Sequence, residues 1–137
     1  MKNQIVIILC ALTLTAFVAC EKNTPDPRSQ TGSKALVSYN ECVEFTDYGY
    51  TICYEDVNEY RCPCNAECFW EGAVDVALHV TGPQLDTVVN LTTNSNPINL
   101  TDSAQIGEFT LKISDPLPYD CNDFNSLDTY KVTVEFL

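Results

Sequence analysis

The stretch 73–80 constrains the fold more than any other. Val74, Val76, Leu78 and Val80 fall on one side of an extended chain there, and Ala73, Asp75, Ala77 and His79 on the other. Successive side chains of a strand point to opposite faces, so this period of two specifies a half-buried β-strand and not a helical stripe, which repeats about every 3.6 residues. Related segments recur along the chain between Gly, Pro, Asn and Asp clusters. Residues 36–45 read as one strand, interrupted near Asn40 and Glu41, and 49–57 as its hairpin partner, with Tyr50, Ile52 and Tyr54 on one face. Further strands are expected at 85–93, 108–114 and 130–137, with a short edge strand at Ile98 and Leu100 and a break at 115–118. Seven or so strands and no helical period predict an all-β domain: a single antiparallel β-sandwich, immunoglobulin-like or Greek-key, with a barrel as the alternative.

The N-terminal residues bear on compartment. Lys2 precedes an apolar run from Ile5 to Val18, about 14 residues where a spanning helix needs about 20. With Ala19 and Cys20 after it, residues 1–19 read as a lipoprotein signal peptide. The tetrad Phe17-Val18-Ala19-Cys20 resembles a lipobox, which implies cleavage before Cys20 and diacylglycerol on its thiol. Ordinary cleavage near Ala19 is the other reading. Residues 20–34 hold almost nothing that could pack and read as the lipidated cysteine and a flexible tether, leaving 35–137 as the sandwich domain. The formal net charge of −12 argues against nucleic acid or an anionic lipid surface as a partner.

Beyond the signal segment and Cys20, six cysteines remain: Cys42, Cys53, Cys62, Cys64, Cys68 and Cys121. An even number in an exported chain implies disulfides. Three of the six sit in one dense stretch with the sole tryptophan, Arg61-Cys62-Pro63-Cys64-Asn65-Ala66-Glu67-Cys68-Phe69-Trp70-Glu71-Gly72. This stretch resembles the Arg-Cys-Pro-x4-Cys-x-Trp-x-Gly motif of a group of small secreted bacterial lipoproteins, in which an alternating strand follows the glycine. Glu59-Tyr60 stands where that group usually has Asp-Ser, and Cys64 is additional. The resemblance implies a β-sandwich, a disulfide between Cys62 and Cys68, and no particular activity. The other four cysteines then allow three arrangements, of which Cys42 with Cys53 across the first hairpin and Cys64 with Cys121 is preferred.

These residue types suit several chemistries to different degrees. A zinc site could use Cys62, Cys64 and Cys68 with His79, but an oxidising envelope consumes the thiolates it needs. A redox thiol lacks the Cys-x-x-Cys spacing at a helix N-terminus. His79, the only histidine, is the one residue through which a Ser-His-Asp mechanism could pass, and no Gly-x-Ser-x-Gly elbow accompanies it. Asp120, Asn122, Asp123, Asn125 and Asp128 offer oxygen ligands of the kind Ca²⁺ takes, without the EF-hand order. Asp86-Thr87-Val88 and Asp102-Ser103-Ala104 match a short O-glycosylation pattern. Trp70, two residues from Cys68 and beside the main strand, is expected to pack over the disulfide as core, while Tyr48, Tyr50 and Tyr60 could form a patch.

The expectation is therefore a non-enzymatic binding or structural module, lipid-anchored in the envelope, in the outer membrane of a Gram-negative bacterium. It uses no cofactor or metal, and its partners are the membrane through Cys20 and an envelope protein or glycan. A secreted protease inhibitor presenting the Cys62–Cys68 loop is the alternative, and a hydrolase a weaker one. Exposure of that loop favours the inhibitor, and burial of Trp70 and Pro63 favours a purely structural staple.

Overall fold

A computed structural model describes residues 26–63, 65–94, 100–118 and 126–137 of the chain. Residues 1–19, Cys20, Cys64 and Cys121 lie outside this set, so the lipidation site and the Cys64–Cys121 pairing do too. The described strands are β1 (Arg28–Gln30), β2 (Lys34–Ser38), β3 (Cys42–Phe45), β4 (Tyr50–Glu59), β5 (Val74–Gly82), β6 (Leu85–Thr92), β7 (Ser103–Ile106), β8 (Phe109–Leu117) and β9 (Lys131–Phe136). They form two sheets, ordered β1-β3-β4-β5-β6 and β2-β9-β8-β7. All pairings are antiparallel except that of β1 with β3. The fold is the expected all-β sandwich.

The core lies between the sheets and is built by alternation. Val74, Val76, Leu78 and Val80 of β5 are each at most 1 % exposed, and they meet Val132, Val134 and Phe136 of β9 and Leu111 and Ile113 of β8 within one cluster. One end of the sandwich is aromatic: the Phe136 ring lies 5.1 Å from Phe45, 4.8 Å from Tyr48 and 5.7 Å from Tyr50, each distance in the range where offset or edge contacts are favourable. The interruption expected near Asn40 is a change of sheet. Asn40 takes φ 64°, its N–H donates to the Tyr54 carbonyl, and the chain passes from β2 in one sheet to β3 in the other.

Three expectations change, while the edge strand at Ile98 and Leu100 falls partly outside the described residues. The tether does not run to Lys34, because β1 pairs with Val43, Glu44 and Phe45 through its backbone, for which no apolar side chain is needed. The Arg28 guanidinium donates to the Leu36 carbonyl at 2.7 Å, and the Gly32 N–H to Asp47 Oδ2 at 2.7 Å, holding the segment down. β8 does not stop at Asp115: it continues to Leu117 through a register irregularity in which Asp115 takes φ 51°. The edge strand described is β7, which pairs with β8 across Gly107, whereas Ile98 lies outside the described residues. The tyrosine patch does not form. Tyr48 and Tyr50 pack against the aromatic end of the core, and Tyr60 lies beyond the far end of β4, roughly 33 Å from Tyr50 at the usual rise per residue.

Candidate binding loop

β4 and β5 are a long hairpin whose connection is the Arg61–Gly72 stretch. Pairing runs to Glu59 opposite Val74, and the Tyr60 N–H then donates to the Ala73 carbonyl at 2.8 Å. Beyond it the Cys62 N–H donates to the Glu71 carbonyl at 3.4 Å. The Cys62–Cys68 disulfide closes the tip, with a turn inside it in which the Ala66 N–H donates to the Pro63 carbonyl at 3.0 Å. Gly72 is required at the stem. It takes φ +75°, a region that only glycine enters freely, and a Cβ there would fall on the Tyr60 carbonyl. Asn94 Nδ2 donates to the Gly72 carbonyl at 3.3 Å, a further tie to the end of β6.

An ion pair fixes the base of the loop to the second sheet. Arg61 Nε donates to Glu59 Oε1 at 2.8 Å and its Nη2 to Oε2 at 2.5 Å, the two-pronged geometry that suits guanidinium and carboxylate. The Arg61 backbone N–H donates to the same carboxylate at 2.9 Å. From β9's leading end, the Tyr130 hydroxyl donates to Glu59 Oε2 at 3.2 Å, and Arg61 Nη1 donates to the Pro116 carbonyl of β8 at 3.4 Å. Both charged side chains are about one-fifth exposed, so water screens this pair less than a surface pair. Burial, then the Glu59 charge, push the Tyr130 hydroxyl above its ordinary pKa.

Above this rigid base the loop is uncovered. Phe69 is 104 % exposed, Trp70 66 % and Tyr60 55 %, and Pro63 is exposed as well. The expectation that Trp70 packs as core over the disulfide is thereby overturned. Beyond the last strand pair, Glu59 with Val74, the stem bonds from Tyr60 to Ala73 and from Cys62 to Glu71 carry Phe69 and Trp70 past the end of the sheet. Adjacent aromatics were the missed signal, since Phe69 and Trp70 side by side cannot both follow an inward alternation. The carboxylates of Glu67 and Glu71 are exposed on the same loop.

The other sequence candidates lie elsewhere. Cys42 and Cys53 face each other on β3 and β4 and are joined, in the preferred pairing, on the outer face of the first sheet. His79 is the next residue across that face, opposite Cys53. Its Nε2 lies 2.6 Å from Asp86 Oδ1 and its Nδ1 3.1 Å from Glu55 Oε1. The hydrogen bond to Asp86 raises the His79 pKa above its ordinary value, against the effect of desolvation and with help from Glu55. A carboxylate thus faces each ring nitrogen, an arrangement that favours the protonated ring. A shallow hollow beside it is lined by Asp26, Pro27, Cys42, Thr51, Cys53, His79 and Thr81.

Among the described residues no group of three His, Cys, Asp or Glu side chains is arranged to hold a metal ion. Cys62 and Cys68 are joined to each other and are not free to bind zinc with His79. Of the possible Ca²⁺ loop only Asp128 is described, and it is exposed. The hydroxyl residues of both glycosylation patterns, Thr87 in β6 and Ser103 at the start of β7, lie in strands, and the aspartates are engaged, Asp86 by His79 and Asp102 by Lys112 at 3.3 Å. Compared with known proteins, the chain matches no family model, and no significant match is found among curated proteins or solved structures.

Proposed function

We propose that this chain is a lipid-anchored module of the bacterial cell envelope, held through Cys20, that binds a partner with its cystine-closed loop and does no catalysis. One observation carries the reading. The loop leaves Tyr60, Phe69 and Trp70 in water while its stem and base are rigid. Fully burying a phenylalanine is worth about 1.5–3 kcal/mol, so the fold forgoes that gain at Phe69 and leaves it for an association. Trp and Tyr are the residues that most often anchor interfaces. A disulfide-closed loop also loses little conformational freedom on binding. The two disulfides fit an oxidising compartment outside the cytoplasm. For His79, general-base work needs an unprotonated nitrogen facing a hydroxyl, and both of its nitrogens face carboxylates.

The test compares native envelopes carrying the full chain with those carrying Phe69→Ala/Trp70→Ala. Partners recovered after cross-linking should be lost from the variant, and an unchanged set of partners would remove the loop from the function. Cys20→Ser should release the chain from membranes, and continued membrane association would defeat the anchor. A second reading, a protease inhibitor, is favoured by the exposure of Pro63 within the Cys62–Cys68 ring. It requires stoichiometric inhibition of a protease by the intact loop, lost on reduction.

A further inference from the structure

We infer that the partner is a protein that receives the loop in an apolar cleft rimmed by lysine or arginine. This rests on the reading of the loop as the binding element. A relative exposure of 104 % means that Phe69 stands out further than it would in an extended chain, so the tip is a knob. A protein cleft encloses such a knob on several sides, whereas a sugar ring covers only one face of it. With about 150–250 Å² per aromatic side chain, the exposed parts of the neighbouring Phe69 and Trp70 amount to about 340 Å², some two-fifths of the roughly 800 Å² that one side of a standard interface buries.

The rim is set by charge. From Asp56 to Asp75 the chain carries five carboxylates, Asp56, Glu59, Glu67, Glu71 and Asp75, against one cation, Arg61, which Glu59 holds at the base. Glu71 follows the aromatic pair directly, Glu67 precedes it with Cys68 between, and both are exposed. A second copy of this chain would bring the same carboxylates against each other, and an anionic bilayer would repel them. A cationic rim complements them, and complementary rim charges steer the encounter and exclude wrong partners.

The test places a photoreactive benzoyl-phenylalanine at Asn65, an exposed position of the loop, in the otherwise intact chain in native envelopes. Irradiation should give a protein adduct whose cross-linked peptides carry Lys or Arg beside apolar residues. Its yield should fall about tenfold or more with Phe69→Ala/Trp70→Ala. With Glu67→Gln/Glu71→Gln, or on raising salt from about 50 mM to about 500 mM, it should fall about threefold or more. Indifference to both the glutamine variant and salt would overturn the cationic rim while leaving the loop as the binding element. Indifference to the alanine variant would overturn both. Protection of Trp70 from acrylamide by phosphatidylethanolamine–phosphatidylglycerol vesicles, with no protein adduct, would replace the proposal by insertion into lipid.

Discussion

Phe69 and Phe136 are the same residue type at opposite extremes of burial, which makes them a controlled pair. Phe136 is 2 % exposed and touches Phe45, Tyr48, Tyr50 and Phe109, so Phe136→Ala opens a cavity in the aromatic end of the core and should destabilise by about 3–5 kcal/mol. Phe69 removes no surface from water, and Phe69→Ala should stay within about 0.5 kcal/mol of the parent. With a urea slope of about 1.5 kcal/mol/M, the first change lowers the unfolding midpoint by about 2–3 M and the second by about 0.3 M or less. The assay is urea unfolding followed by far-ultraviolet circular dichroism with disulfides intact. Fluorescence is unsuited to global unfolding here, because the sole tryptophan reports the loop. It serves instead as an independent check: native Trp70 should emit to the red and be readily quenched by acrylamide. A midpoint for Phe69→Ala as low as that for Phe136→Ala, or a shielded Trp70, would refute the exposed loop and the binding function drawn from it.

Other outcomes follow from single features. Gly72→Ala should disrupt the stem, exposing the Tyr60 amide to faster hydrogen exchange while the β5–β6 amides stay protected; unchanged exchange at Tyr60 would contradict the stem geometry. In the chain-entropy account, replacing Cys62 and Cys68 by serine, at a sequence separation of 6, should cost about 2 kcal/mol. Replacing Cys42 and Cys53, at a separation of 11, should cost about 3 kcal/mol, so urea midpoints in the reverse order would show that ring size does not govern. The Tyr54 hydroxyl is buried without a hydrogen-bond partner among the described residues, so Tyr54→Phe should raise stability by about 1 kcal/mol; a loss would reveal a partner. The contribution of His79 should be full below about pH 6.5, where it is protonated folded or unfolded, and be lost as pH rises through its raised folded pKa. An NMR titration of this single histidine should show that pKa falling toward the ordinary value in Asp86→Asn, and no fall would remove Asp86 as its main cause.

Period-two stretches were legible because burial on one face leaves an imprint on neighbouring residues. Val74 to Val80 and Tyr130 to Phe136 are of this kind. β1 was not legible, since Arg28, Ser29 and Gln30 are held by backbone pairing, by the Arg28 contact with the Leu36 carbonyl and by the Gly32 N–H bonded to Asp47 just beyond the strand, none of which depends on hydrophobicity. The resemblance implied the Cys62–Cys68 ring, and Cys42–Cys53 was the preferred one of three arrangements, which the structure shows to be formed. The exposure of Trp70 was hidden because a tryptophan near a cystine suits either core or surface. What decides it is the stem pairing, which carries the loop beyond the paired strands and leaves Trp70 exposed. The tie of Tyr130 to Glu59 joins residues 71 positions apart and leaves no local trace.

The parallel pairing of β1 with β3 has a consequence for orientation. Because β3 is antiparallel to β4, the chain traced backward along β1 heads the way β4 runs forward, to the end of the sandwich from which the loop projects. Arg28 is level with Ile52 through Val43, and Glu59 stands seven residues further on, roughly 23 Å. Cys20 is eight residues before Arg28, which allows at most about 28 Å of extended chain. A lipid at Cys20 would therefore draw the loop end of the module, opposite the aromatic end of the core, down toward the bilayer, and a protein that meets Phe69 and Trp70 would have to do so within a few nanometres of that surface.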